Sequence, residues 1–409
     1  MHINIVVFLV GVLILAQLYL KSRLEIRGVP GIVGFILLGF LLSLADHQWD
    51  LLTESGRDIF DFLSRVGVIT LLFRIGLESN IQSLWKQLGK AGFIWVGDVG
   101  LSALLGFGAA YFLLGLPFMP SFFTGIAFTA TSVGVSVGVW KQNGKLKTEE
   151  GEMLVDVAEL DDISGIILMA LLFALIPVLR QGNHSGIVLT VIKSGGWVLL
   201  KLFGFGLVCL LFSRFLEAPI TRYFQRIDMN PNTTMLLLGA FGFMIASLAA
   251  ALGFSVAIGA FFAGLAYSRD TDAVKLDTAF AGLDQLFSPF FFIGIGLMID
   301  PGVLQQAVLP GLILILFAMV SKTLGDGLTS LPFLSPAKSA LIGLSMIPRA
   351  EIAMIVMQHG LRLGQWAVPS ELFAAMVSVV LITSLVSPII IQRLLPRIPL
   401  QSADPGDAE

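Results

Sequence analysis

Two adjacent carboxylates, Asp161 and Asp162, stand in a run from Met153 to Leu179 that is almost wholly apolar beyond Ile163. A helix starting near Met153 and rising about 1.5 Å per residue carries both to roughly the middle of a bilayer whose hydrocarbon core is about 30 Å thick. An ionisable side chain at that depth is costly, and it faces a wet cavity or a partner of opposite charge. The chemistry open to such a pair is ion handling. A carboxylate that has lost its proton is a hard oxygen ligand for a small alkali cation, and the same oxygen reprotonated expels that cation. Competition for one site then couples two ions.

Neighbours at i and i+1 on a helix diverge by about 100° and do not face each other. One aspartate can therefore pair with a basic residue while its neighbour faces the cavity. Lys322 stands at matching depth, about twelve residues past Pro310, a favoured first-turn residue that marks the start of its helix. A second constellation lies in two other segments. Thr129-Ala-Thr-Ser132 interrupts one apolar run and Pro348 interrupts another. Proline removes an amide donor and clashes with the carbonyl four residues back, while Thr and Ser hydroxyls can serve freed backbone groups. Breaks of this kind at mid-membrane put half-helix ends of opposed partial charge, and unwound carbonyls, where an ion can be held. Thr131 and Ser132 are thus candidate ion ligands. Arg349 and Glu351, beside the second break, are accessory charges that either contact the ion path or neutralise helix ends.

The elements that must position these residues are set by composition. With 56% hydrophobic and 13% charged residues and a mean hydropathy of +0.90, the chain lies far from the roughly 25% charged content of soluble proteins. It is an all-α polytopic membrane protein. Windows of about 20 apolar residues place about thirteen spans, near 3–20, 29–45, 60–77, 92–115, 121–141, 153–179, 187–212, 232–252, 254–268, 280–298, 307–330, 336–360 and 370–392. The first run, Ile3 to Leu20, lacks a basic flank and a small-residue cleavage site and reads as a retained span. Residues 1–400 form one transport unit, and 401–409 a short polar tail. The net charge of -3 gives no argument for nucleic acid, and the sole cysteine, Cys209, excludes an internal disulfide.

An odd number of spans puts the termini on opposite sides. With the amino end outside, Lys21, Arg23, Lys141, Lys145, Lys147 and Arg393 are among many basic residues on inner loops, and the outer loops keep only Arg57, Arg180 and Arg362. The expected topology is amino terminus out and carboxyl terminus cytoplasmic. Arg65 and Arg74 lie near helix ends, where snorkelling is expected. His2, His47, His184 and His359 all fall on the outer side and read as inert.

The chain also contains an internal repeat. Pro30-Gly-Ile-Val-Gly-Phe-Ile-Leu-Leu-Gly-Phe-Leu-Leu-Ser43 aligns with Ser255-Val-Ala-Ile-Gly-Ala-Phe-Phe-Ala-Gly-Leu-Ala-Tyr-Ser268, setting Gly34 on Gly259 and Gly39 on Gly264. Leu71-Leu-Phe-Arg-Ile-Gly-Leu77 aligns with Phe291-Phe-Ile-Gly-Ile-Gly-Leu297 at nearly the same offset. Seven crossings separate the copies, so the second is inserted upside down and the seventh span is a connector. Inverted repeats with a broken helix in each half, here the fifth and twelfth spans, are the architecture of secondary transporters.

Taken together, Val29-Pro30, Leu71 to Glu78, Thr129 to Val133, Asp161-Asp162, Gly259-Ala-Phe-Phe-Ala-Gly264, Lys322-Thr-Leu-Gly325 and Pro348-Arg-Ala-Glu351 resemble a bacterial monovalent cation:proton antiporter of the sodium/proton exchanger superfamily. The matching branch contains electrogenic sodium/proton antiporters and Kef-type potassium efflux proteins. The resemblance covers about residues 5 to 395. It implies the sodium/proton antiporter fold and exchange of Na⁺, or Li⁺, for H⁺, with a K⁺/H⁺ antiporter of the same fold as the alternative. It implies that Asp162 binds the cation (Na⁺) and the proton, and that Asp161 ion-pairs with Lys322. A homodimer in the cell inner membrane, working by an elevator motion, follows from the same source. So does a division into a core of about 90–180 and 305–395, a dimerisation panel of about 1–85 and 230–300, and the connector of about 187–212. No cofactor is implied. Two departures stand out: Ala350 where glycine is usual, and Arg74 where an apolar residue is common. The polar tail carries no nucleotide-binding domain, so gating of the potassium-efflux type is not expected. An intramembrane aspartyl protease, suggested by Leu324-Gly-Asp-Gly327, fails because neighbouring aspartates on one helix cannot face each other as a proton-sharing dyad. A passive channel is disfavoured by the repeat and the acid pair, and a sodium-coupled organic-anion symporter shares only the broken helices.

Overall fold

The computed structural model describes residues 3–26, 29–79, 89–180, 187–217, 219–220, 222–223, 231–268 and 273–400. The helices are α1 (Ile3–Glu25), α2 (Gly31–Trp49), α3 (Glu54–Glu78), α4 (Lys90–Gly108), α5 (Phe118–Thr129), α6 (Val133–Gln142), α7 (Glu149–Arg180) and α8 (Ile187–Phe212). They continue as α9 (Pro231–Ala251), α10 (Val256–Tyr267), α11 (Ala273–Leu297), α12 (Leu304–Ser330), α13 (Pro336–Ser345), α14 (Glu351–Leu363) and α15 (Ser370–Leu394). Each expected span has its counterpart, with α5 and α6 the two halves of the fifth and α13 and α14 the two halves of the twelfth. Among the described residues nine helices, with the broken fifth counted as one, are long and apolar enough to cross a membrane. The remaining expected spans are those interrupted by charge, by shortness or by a break: α3, α7, α10 and the α13–α14 pair.

Contacts divide the chain into two units. The first comprises Met1–Val6, Leu52–Ile81 and Ile166–Gly294. In it α3 packs on α10 through glycines that let backbone meet backbone. A Cβ added at Gly76 would lie 2.1 Å from the carbonyl oxygen of Phe261, and one at Gly264 would lie 1.9 Å from that of Phe73. No side chain fits there, which is why the repeat keeps glycine at these positions. Phe73, Tyr267 and Phe280 fill the surrounding core, with Phe73 and Phe280 ring centres 4.6 Å apart. Arg74, expected to snorkel, instead reaches Asp284 Oδ2 at 3.0 Å and Glu78 Oε1 at 2.9 Å. The apolar-to-basic departure is thus matched by a nearly buried acid on α11.

The second unit comprises Val7–Leu51, Gln82–Gly165 and Ile295–Glu409. It holds the other copy of the same contact: a Cβ at Gly296 would lie 2.1 Å from the carbonyl oxygen of Ile36 and 2.7 Å from the amide of Phe40. Ile36 and Phe40 are the repeat equivalents of Phe261 and Leu265, and Gly296 is the equivalent of Gly76. Helix α7 begins four residues earlier than the apolar run suggests. Thr148 Oγ1 accepts the amide of Gly151 at 3.2 Å, and Glu149, Glu150 and Glu152 occupy a first turn that favours negative charge.

Candidate functional site

All seven residues singled out in the sequence lie in the second unit, on α7, α12, α14 and the two non-helical links. The first link runs from Ala130, extended at φ -75° and ψ 141°, to Ser132 at φ -98° and ψ 96°. The second runs from Ile347 to Ala350, which at φ -155° and ψ -95° is also outside the helical region. The links are bonded to each other: the Ser132 amide donates to the Pro348 carbonyl at 2.8 Å.

A helix end leaves its last four carbonyls without partners inside the helix. At the end of α5 these acceptors meet cations. Lys322 Nζ donates to the Thr129 carbonyl at 2.8 Å. Arg349 Nη1 donates to the Ala130 carbonyl at 2.9 Å and also to that of Phe128, while Nη2 reaches the Ala318 carbonyl at 3.3 Å and Ser321 Oγ at 3.1 Å. Positive charge at a helix carboxyl end also complements the helix dipole. The carbonyls that the break exposes are therefore engaged by the protein's own cations. Glu351 opens α14 and is half-buried on the wall of a cavity described below.

Lys322, wholly buried, is bracketed by two carboxylates. Its Nζ lies 2.6 Å from Asp161 Oδ2 and also donates to Asp98 Oδ2. Thr131 Oγ1 donates to the same Asp161 oxygen at 2.7 Å. Trp95 Nε1 holds Ser164 Oγ at 2.9 Å, which in turn donates to the Asp161 carbonyl at 3.0 Å, so α4 also fixes the backbone of α7 at this level. Asp162, one residue on, is half-buried where Asp161 is wholly buried, as the turn of about 100° between them requires. The two breaks, the acid pair and Lys322 are thus brought to one place. Two further buried acids belong to it that the sequence reading did not assign. Asp98 is a lone acid in the apolar fourth span. Asp326 lies one turn after Lys322, and that i, i+4 spacing was the signal that could have placed it beside the lysine.

A cavity of about 340 Å³ in the same unit reaches the crossing from the α6 side. Its lining includes Ser132, Gly134, Gly138, Glu351, Pro388 and Glu25. Gly134 and Gly138 present no side chain to it, and a Cβ at either would meet nothing within 4 Å.

Comparison with known proteins gives a consistent result. The family profile described as sodium/hydrogen exchanger, transmembrane, matches residues 8–397. The chain is 31% identical over 390 residues to a Na(+)/H(+) antiporter of Enterococcus hirae, covering 93% of this chain and 96% of that protein. It is 28% identical over 379 residues to the Na(+)/H(+)-K(+) antiporter GerN of Bacillus cereus, covering 92% and 93%. The solved structure of the sodium proton antiporter MjNhaP1 from Methanocaldococcus jannaschii superposes with a TM-score of 0.74 at 16% identity, covering 97% of this chain and 99% of that one, and so shares its fold.

Proposed function

The chain belongs to the sodium/hydrogen exchanger family, a family of membrane transporters rather than enzymes, and from that premise we propose that it exchanges Na⁺, or Li⁺, for H⁺. The observation that carries this reading is the asymmetry of the acid pair. Asp161 is wholly buried and bound through Oδ2 to Lys322 and Thr131, whereas Asp162, on the next helical position, is only half-buried. Deprotonated Asp162 offers a hard oxygen ligand to a small monovalent cation, and protonation removes the charge that holds it. Since one oxygen set serves both, each ion leaves as the other arrives. Thr131 and Ser132 contribute hydroxyl oxygens from the first link. Lys322 balances Asp161 so that the field at Asp162 stays that of a single carboxylate. Arg349 and Glu351 brace the crossing.

In this reading residues 90–180 and 305–395 form the moving core of an elevator, working against a panel of residues 1–85 and 230–300. The transporter is a homodimer in the cell inner membrane, with its amino terminus outside. A K⁺/H⁺ antiporter is the second reading, favoured by the similarity to GerN, whose name includes K⁺. One experiment separates these. Purified protein in proteoliposomes with an imposed pH gradient is given Na⁺, Li⁺ or K⁺ in turn while lumenal pH is read. Proton movement on Na⁺ or Li⁺ addition supports the first reading, and on K⁺ alone the second. No movement with any of the three refutes both. A set membrane potential in the same vesicles reports the charge moved per cycle, because a voltage-indifferent flux means one-for-one exchange.

A further inference from the structure

The exchange reading leaves Asp98 and Asp326 without a task. Both are wholly buried. Asp98 Oδ2 accepts from Lys322, and its Oδ1 accepts from Ser102 Oγ at 3.3 Å. Neither oxygen of Asp326 meets a hydrogen-bond donor. What faces Asp326 is the carboxyl group of Asp98, across the contact of α12 with α4. The approach depends on Gly325, where a Cβ would come within 2.9 Å of the Asp98 Cα and 3.2 Å of its Oδ1.

Two ionised carboxylates have no hydrogen to offer each other, and a buried anion without a donor is among the least stable arrangements a protein interior can hold. The charges facing Asp326 are Asp98 from α4, Lys322 from its own helix and Asp161 from α7, with Arg349 from the second link acting on the same group. Fully ionised, this cluster would set three negative charges against two positive ones. One proton between Asp98 and Asp326 resolves both problems together. It turns Asp326 into the donor that Asp98 accepts from, and it leaves two negative charges opposite two positive ones.

We propose that Asp98 and Asp326 hold one proton between them, forming a proton-binding site separate from Asp162. The shared proton leaves Asp98 a single negative charge with which to hold Lys322 from the side opposite Asp161. Either contact of Lys322 can then lengthen without stranding the ammonium. The site needs only the buried cluster, so the proposal goes beyond the exchange reading and does not rest on it.

The test is the infrared absorption of purified protein at neutral pH, in the region where a protonated carboxylic acid shows its carbonyl stretch. Asp326→Asn should remove the absorption of one protonated carboxyl, because the amide now donates to Asp98 and no proton is required. Asp300→Asn, on an exposed turn, should remove none. Because the amide supplies the same hydrogen bond, Asp326→Asn should also stay folded, with a thermal midpoint close to that of the wild type. Asp326→Asn protein that retains the full wild-type band overturns the proposal, and so does failure of Asp326→Asn to fold. Since neither readout involves exchange, a failure here is distinguishable from a failure of the antiport reading.

Discussion

Removing the Lys322 ammonium should be the most destabilising single truncation at the crossing, and its size can be worked from the contacts. The group is wholly buried and serves three acceptors: Asp98 Oδ2, Asp161 Oδ2 and the Thr129 carbonyl. Deleting one partner of a buried ion pair costs about 3–5 kcal/mol, because an uncompensated buried charge remains. Unfolding entropy of about 2.1 cal/mol/K per residue, over 409 residues, makes about 4 kcal/mol a fall of roughly 5 °C in the thermal midpoint of Lys322→Ala. Lys322→Gln keeps a donor while losing the charge, and should fall by about half as much. Lys90→Ala breaks an ion pair to Glu149 that is 3.4 Å long and exposed on both sides. Such pairs contribute about 0–1 kcal/mol, so its midpoint should move by no more than about 1 °C. Thermal unfolding in detergent, followed by tryptophan fluorescence, compares all three. A Lys322→Ala midpoint within about 1 °C of wild type, or a Lys322→Gln midpoint below that of Lys322→Ala, would refute the reasoning that buried charge pairing holds the crossing together.

Four further outcomes are expected. Asp162→Asn should abolish cation-driven proton flux with little loss of folded protein; residual flux above roughly a tenth of wild type would move the carrier role to Asp161. Thr131→Val removes both a candidate ligand oxygen and the 2.7 Å bond to Asp161. It should raise the cation concentration for half-maximal flux more than it lowers the maximal rate, whereas a fall in rate alone would tie the hydroxyl to helix movement. Arg349→Lys cannot span the Phe128 and Ala130 carbonyls on one side and Ala318 with Ser321 on the other, because an ammonium lacks the guanidinium fork. It should lower both midpoint and flux, and wild-type values of both would remove the bracing role. Gly264→Ala places a methyl 1.9 Å from the Phe73 carbonyl and should sharply reduce folded yield in a size-exclusion profile. Gly100→Ala, with nothing within 4 Å, should leave that profile unchanged.

Much of the site was legible because the bilayer makes charge conspicuous. Asp161, Asp162, Lys322 and Arg349 stand out in apolar runs, and proline and clustered hydroxyls announce the two breaks. The repeat was legible through glycine, since Gly76 and Gly296 occur where a Cβ would collide with a facing backbone. What sequence could not give is partnership across the fold. Asp98 is silent in the sequence because a single acid in a span says nothing of which cation it faces, and Lys322 lies 224 residues away. Asp326 stands in a Gly-Asp-Gly stretch that suggests an aspartyl-protease pattern, which masks its place one turn after Lys322. Arg74 reads as a snorkelling residue in the sequence because Asp284, its partner, lies 210 residues on. The start of α7 is hidden from hydropathy, because its acidic first turn is hydrophilic and a cap leaves no apolar signal.

The crossing also determines where the protein can bend. A discontinuous helix is the natural place to look for a hinge, since its backbone bonds are already broken. Here the two links are tied by the Ser132 amide to Pro348, by Arg349 to Phe128 and Ala130, and on the adjoining half-helices by Ser136 and Trp140 to Ser345. Nearly all of these groups are wholly buried, where no water waits to replace a lost partner. Parting the links would strand several donors and acceptors at once, so the crossing resists shear and turns as one piece. The interruptions in the helices thus act as weld points rather than joints.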